Sequence, residues 1–344
     1  MNTAQGEPFS SQTAASSAKS IASVAPTSSM VDIDKLEITT PTKANAKKPL
    51  EIPTYDGSGQ TTHPKVLYFE EGWNGYRYWM VHTPYPNSME RYENPCIVVS
   101  NDGINWKEPA GLTNPIDSVN SGGGWYRHYS DGHLLMKNGT MELWYRLNES
   151  SNALAANNAN ASLLRTSSTD GVHWSKPEKM LTASNSALSP VVMWEDGKYR
   201  MWYASNTAKL YYTESATGYE WEELQQCSIP AENGVKLWHQ DIIKTDIGYE
   251  MLFCGKSLFE KSPQTHEELY YTASKDGLSF ISPTLIISYK NSIGGFDNNS
   301  IYRASLLKFA NGSYSVYYSA MSNSGEWRIA LTQGKSISEL GQDI

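Results

Sequence analysis

Cysteine is scarce in this chain. Cys96, Cys227 and Cys254 are the three among 344 residues, and their spacing suits neither a disulfide framework nor a metal knuckle, so buried thiols are expected. No stretch is long and apolar enough to span a membrane. The N-terminus also lacks the basic and apolar regions of a secretory signal. Basic residues are outnumbered: the net charge is −8 and no basic stripe stands out, which argues against nucleic acid as a partner. Strict amphipathic helices are hard to find after residue 50. No Ser-His-Asp triad or phosphate-cradling glycine loop appears, and Gly122-Gly123-Gly124 reads as a flexible loop.

What the chain has is aromatics and repetition. Eleven Trp and twenty-two Tyr form a load suited to stacked sheets rather than helices. A two-part phrase recurs five times, each copy a sheet-like opening followed by a turn and an aromatic-rich strand. The openings are His63-Pro64-Lys65-Val66-Leu67, Asp131-Gly132-His133-Leu134-Leu135, Ser189-Pro190-Val191-Val192-Met193, His239-Gln240-Asp241-Ile242-Ile243 and Ala304-Ser305-Leu306-Leu307. Their second strands include Tyr76-Arg77-Tyr78-Trp79-Met80, Met141-Glu142-Leu143-Trp144-Tyr145 and Tyr199-Arg200-Met201-Trp202-Tyr203. With Pro64, Gly132, Pro190, Gln240 and Ser305 equivalent, the spacings are 68, 58, 50 and 65 residues. Long, uneven repeats of short strands predict propeller blades.

A second motif keeps phase with the first. Ser100-Asn101-Asp102-Gly103-Ile104-Asn105-Trp106 returns as Ser168 to Trp174, Ser215 to Trp221 and Ser274 to Phe280, with serine, glycine and the aromatic at fixed offsets. Asp-Gly supplies a tight turn, because Asp bonds its own backbone and Gly accepts positive φ. The expected fold is therefore all-β, a five-bladed β-propeller over residues 51–344. The fifth blade lacks the motif, so an upstream strand near Leu50 to Pro53 is expected to complete it. Residues 1–50 are small and polar, typified by Ser10 to Ser20. They read as a low-complexity linker or stem segment, with Ala14, Ala18, Ile21 and Ala22 able to line one face of a short helix.

In a propeller the starts of the innermost strands surround the mouth of a central channel, which makes them the default ligand site. Here they bring His63, Trp125, Arg127, His128, Asp131, Trp238, His239, Asp241, Tyr302 and Arg303 together. The imidazoles and guanidiniums suit phosphate oxygens, and the aromatics suit sugar faces. His63, His128 and the His239-Gln240-Asp241 run raise the question of a metal. No tight local ligand spacing supports one, so polar channel lining is the expectation and no cofactor is assigned.

The blade layout and the Ser-x-Asp-Gly-x-x-Trp strand ends resemble the five-bladed glycoside hydrolases, a group that includes arabinanases, xylosidases, levanases and invertases. That resemblance implies carboxylates opening blades one, two and three. This chain has His63, Asp131 and Ser189 there, and only Asp131 fits. Hydrolysis of a glycosidic bond needs two carboxylates, so an enzyme of this kind would have to recruit Asp241 and Glu93 beside Asp131.

A second resemblance lies in Thr62 to Phe69, Trp73 to Met80, Thr83-Pro84-Tyr85-Pro86-Asn87-Ser88, Tyr92 to Ile97 and Gly111 to Pro115. These segments resemble the propeller platform of receptor-binding proteins on baseplates of phages infecting Gram-positive bacteria. It implies a virion tail protein of a homotrimer-forming family that contacts other baseplate proteins and holds cell-wall teichoic acid at the propeller mouth without cleaving it. The two expectations are thus a glycopolymer receptor-binding protein and a glycoside hydrolase.

Overall fold

The structure, a computed structural model, describes residues 33–119, 125–151, 160–183, 187–230, 235–257 and 266–342. The strands form five antiparallel meanders. Blade one comprises β1 (Thr61–Trp73), β2 (Tyr76–Pro84) and β3 (Cys96–Ser100). Blade two comprises β4 (Tyr126–Lys137), β5 (Thr140–Ser150), β6 (Asn160–Ser168) and β7 (Glu178–Ala183). Blade three follows with β8 (Leu188–Glu195), β9 (Lys198–Ala204), β10 (Leu210–Ser215) and β11 (Gln225–Gln226). Blade four holds β12 (Val235–Thr245), β13 (Gly248–Ser257), β14 (Glu267–Ser274) and β15 (Thr284–Ile287), and blade five β16 (Ser300–Lys308), β17 (Tyr314–Met321) and β18 (Trp327–Gly334). The innermost strands β1, β4, β8, β12 and β16 pack against one another in a closed circuit. The fold is the five-bladed propeller that the repeat predicts.

Each junction between blades holds its own apolar cluster. Trp79 and Val81 meet Leu134 and Leu143 between blades one and two, and Leu135 and Trp144 meet Val192 and Met201 at the next junction. Trp202 meets Ile242 and Met251, Leu252 and Leu269 meet Leu306 and Val316, and Tyr317 and Ile329 close the ring on Val66 and Met80. Trp79, Trp144 and Trp202 are wholly buried. Truncating any of them to Ala costs about 3–5 kcal/mol.

The second motif explains itself here. In its four copies the serine Oγ accepts the glycine N–H at 2.8–2.9 Å. The glycines have φ between +73° and +88°, which favours glycine. A side chain at Gly171 would lie 2.2 Å from Trp79 of the preceding blade, and one at Gly277 would lie 2.9 Å from Trp202. Glycine and the second-strand aromatic are thus two halves of one inter-blade joint.

Ring closure differs from the expected extra strand. Leu50 N donates to Ile329 O at 2.8 Å and Ile52 enters the cluster between blades five and one, but the segment makes no strand. Residues 33–50, expected as part of a linker or stem, lie against the propeller. Asn45 Nδ2 donates to Asp297 Oδ2 at 2.8 Å, Ala46 N to the Tyr318 hydroxyl at 2.9 Å, and Thr39 N to Ser338 Oγ at 3.0 Å. The helical face expected at Ala14 to Ala22 lies outside the described residues. All three cysteines are free and buried.

Candidate functional site

Every innermost strand carries a register shift near its start, at Thr62/Lys65, Ser130/His133, Leu188/Val191, Leu237/His239 and Ile301/Ala304. Such a bulge re-aims a side chain. In blades one to three the bulge residue is left-handed: φ is +54° at His63, +57° at Asp131 and +46° at Ser189. Holding a non-glycine residue there costs about 1–3 kcal/mol, and such strain clusters at functional sites.

These bulges surround a cavity of about 160 Å³ on the propeller axis. Its wall includes the expected His63, His128, Asp131, Trp238, His239 and Tyr302, together with Glu93. The other expected residues stand elsewhere. Asp241 is buried and bound by Lys65 Nζ at 2.7 and 2.9 Å and by Leu306 N at 2.9 Å, so it is a structural anion rather than a mouth residue. Arg303 is fully buried behind Asp131, its Nη1 3.5 Å from Oδ1, and is not placed to hold a ligand phosphate. Trp125 is 46% exposed outside the cavity lining; Arg127 lies over its ring and pairs with Glu149 at 3.0 Å.

Residues that the strand starts did not announce complete the wall: Tyr85 and Glu90 from the β2–β3 connection, Ser130 before the second bulge, Arg146 and Asn148 on β5, and Leu188 and Asn206 from blade three. A signal existed for two of them. Trp144, Arg146 and Asn148 share one face of a strand, so its apolar face turns polar toward the mouth.

Asp131 is the hub. Its Oδ1 accepts from Ser189 Oγ at 2.8 Å and faces His239 Nδ1 at 3.1 Å and His63 Nε2 at 3.7 Å. Its Oδ2 accepts from Ser130 Oγ at 3.0 Å and pairs with Arg146 Nε at 3.2 Å. Burial alone would raise this carboxyl's pKa, but Arg146, His239 and His63 outweigh burial and hold it well below the usual range. Burial pushes His63 well down and lowers His239 against the pull of Asp131, which favours neutral imidazoles at pH 7. Burial, Asp131 and Glu90 drive Glu93 well up. Its Oε1 lies 3.3 Å from His63 Nδ1. The Tyr302 hydroxyl and His239 Nε2 share a hydrogen bond at 2.5 Å, and burial raises the phenol well above its ordinary value, so it keeps its proton.

His63, Asp131 and His239 each offer a donor atom within 4.8 Å of the others. Two neutral imidazoles and an ionised carboxylate are in the protonation states that a divalent transition metal requires. Among the described residues, His63 Nε2 is buried without a hydrogen-bond partner, as an uncommitted donor atom would be. The set fits a metal. Local ligand spacing could not reveal it, because the three donors arrive from three different blades.

No family model matches the chain. It is 29% identical over 319 residues to the A type blood N-acetyl-α-D-galactosamine deacetylase of Flavonifractor plautii, a match covering 76% of this chain. The chain spans 40% of that relative's length. An N-acetylgalactosamine deacetylase structure from F. plautii, in complex with blood group B trisaccharide, superposes with a TM-score of 0.72 at 24% identity, covering 85% of this chain and 95% of the other. An exo-1,5-α-L-arabinanase from a bovine ruminal metagenomic library follows the same fold with a TM-score of 0.57 at 12% identity, over 80% of this chain and 93% of that one.

These comparisons overturn the phage reading. The curated relative is a carbohydrate-active enzyme, and the similar propellers include a sugar deacetylase and glycoside hydrolases. The teichoic-acid and tail-protein partners rested on that resemblance alone. The five-bladed propeller fold shared with glycoside hydrolases stands.

Proposed function

We propose that this protein is a metal-dependent carbohydrate deacetylase that hydrolyses the acetamido group of a terminal N-acetylhexosamine, N-acetylgalactosamine foremost. The observation that carries this reading is the joining of the His63, Asp131 and His239 donor set to Glu93, His128 and Tyr302 in one small cavity. The deacetylase relative supplies the sugar class.

The reaction adds water across the amide C–N bond and yields acetate and a free amine. A divalent ion held by His63, Asp131 and His239 would act as a Lewis acid, polarising the amide carbonyl and easing removal of a proton from water. Glu93 is the proton carrier: a carboxylate with a raised pKa accepts the water proton and returns it to the departing nitrogen. Tyr302, kept protonated, can donate to the oxygen that gains negative charge. Tyr85, Trp238 and Tyr302 give the cavity aromatic faces suited to a sugar ring.

Glycosidic cleavage is the weaker reading of the same cavity. Asp131 has both oxygens engaged by Ser130, Ser189 and Arg146, and Asp241 is committed to Lys65. Neither is free to attack a sugar carbon or activate water beside Glu93.

The test incubates the purified protein, loaded in turn with Mn²⁺, Zn²⁺ or Co²⁺, with glycans ending in N-acetylgalactosamine or N-acetylglucosamine. Acetate release that stops with a chelator and returns with metal is expected. Sugar release without acetate would replace this reading by a glycosidase, and neither product on any glycan would sink it.

A further inference from the structure

We infer that Asn148 is a positioning residue that fixes the tautomer of His128, with the proton on Nδ1, and so makes His128 a hydrogen-bond donor to the cavity rather than a base. The role toward substrate rests on the proposed amide hydrolysis; the tautomer does not.

The argument is an accounting of protons along one face of β4 and β5. His128 pairs directly with Asn148 across the ladder, and Ser130 with Arg146, so the four side chains form a tight square. Asp131, facing the guanidiniums of Arg146 at 3.2 Å and Arg303 at 3.5 Å, is a carboxylate that can only accept. Ser130 Oγ, 3.0 Å from Oδ2, must therefore give it its single proton. Arg146 can only donate, and its Nε reaches the same Ser130 oxygen at 3.1 Å. Ser130 thus has its proton committed and can only accept from its remaining neighbour, Asn148, at 3.3 Å. An amide turned the other way would set carbonyl oxygen against that oxygen with no proton between them. The Asn148 NH₂ must face Ser130.

The same nitrogen lies 3.1 Å from His128 Nε2. Its second N–H points at the imidazole, so Nε2 must present its lone pair. The ring proton then sits on Nδ1, which is buried and has no hydrogen-bond partner among the described residues, on an imidazole that lines the cavity. A proton added at Nε2 would confront the Asn148 N–H, so the cation is opposed at that atom. The orientation of one amide is set by Asp131, two hydrogen bonds away, and it sets the polarity of the histidine.

The consequence for the reaction is a division of labour. A neutral imidazole whose second nitrogen is occupied does not surrender its Nδ1 proton; it offers that N–H to the carbonyl oxygen as negative charge develops, as other neutral catalytic histidines do. Glu93 alone then carries the proton from water to the amine nitrogen. One proton leaves water and one reaches nitrogen, so the step balances without a second acid.

The experiment is nitrogen NMR on the metal-free, ¹⁵N-histidine-labelled protein at neutral pH, with His128 assigned by comparison with His128→Gln. Nδ1 is expected to resonate as a protonated nitrogen and Nε2 as an unprotonated one. The reverse pattern, or an average of the two, overturns the inference. Asn148→Asp, which has no proton to give at neutral pH, is expected to move the proton to Nε2 and lower kcat about 100-fold, with KM nearly unchanged. An unchanged tautomer or kcat in that variant also overturns it. Since the tautomer is read without substrate, failure to release acetate from any glycan removes the proposed reaction and leaves this assignment standing.

Discussion

Acidification from pH 7 to 5.5 should weaken the fold severely, through histidines rather than carboxylates. His63, His82, His128, His133 and His239 are at most 7% exposed. Burial lowers the pKa of each, to about 3 for His82 and about 4 for His128. The unfolded chain titrates them near 6.5. Below that value the unfolded state takes up protons that the native state refuses, so their stabilisation is complete above about pH 6.5 and is lost as pH falls toward the folded values.

For a group whose folded value lies far below 5.5, as at His82 and His128, the loss between pH 7 and 5.5 is about 1 kcal/mol, or about 2 kcal/mol for the two, and His63, His133 and His239 act in the same direction. Glu93 acts in the opposite sense, because its raised pKa lets the native state bind a proton before the unfolded state does. Asp131, Asp102 and Asp170 have lowered pKa values, so their contributions are lost only at more acid pH and do not change in this window. The loss from His82 and His128 alone, about 2 kcal/mol, is a sizeable share of the roughly 5–15 kcal/mol that holds a domain together. With a urea m-value of about 3 kcal/mol/M, the unfolding midpoint should drop by about 0.7 M. The assay is urea titration by tryptophan fluorescence at both pH values, at constant ionic strength and with chelator present. A midpoint displaced by less than about 0.3 M would refute the reasoning, and with it the neutral, buried state assigned to these rings.

Asp131→Asn retains side-chain volume and a residue tolerant of positive φ, but leaves Arg146 and Arg303 without their carboxylate. Stability should fall by about 3–5 kcal/mol and acetate release should vanish, read by urea titration and acetate assay. Glu93→Gln should keep the fold and metal affinity while lowering kcat by roughly 100- to 10,000-fold, and calorimetric metal titration separates this from a lost site. Gly171→Ala forces a side chain into left-handed backbone and against Trp79, so thermal unfolding should show a loss of about 2–4 kcal/mol with the site chemistry intact.

The fold was legible because its devices are local. The serine–glycine–aromatic turn fixes its own backbone, and its glycine needs only a large neighbour in the preceding blade, which the second-strand Trp79, Trp144 and Trp202 supply. The bulge positions His63, Asp131 and Ser189 were legible for the same reason, since each opens a repeat. The rest of the site is a product of closure. Nothing in the spacing of Glu93, Arg146 and Asn148 along the chain brings them to one cavity wall. Equally, nothing at Asp241 announces that Lys65, on an innermost strand two blades away, will claim its carboxylate. Arg303 failed as a predicted ligand contact on the same ground: its charge was visible, but its burial behind Asp131 was not.

The three left-handed bulges also say how one scaffold accommodates different bond chemistry. Their backbone conformation is nearly the same, with φ of +54°, +57° and +46°, so the direction in which each side chain enters the channel is set by the strand and not by its identity. Carboxylates at all three positions would suit protonation of a glycosidic oxygen and attack on a sugar carbon. With His63 and Ser189 at the first and third, two of those charges are gone, and the remaining carboxylate is flanked by neutral imidazoles and fixed by serine hydroxyls. That arrangement lacks the separated acid and base of glycoside hydrolysis and has the donors of a cation site. The three bulges thus fix where these side chains enter the channel, and the identities of the side chains set what chemistry the channel can offer.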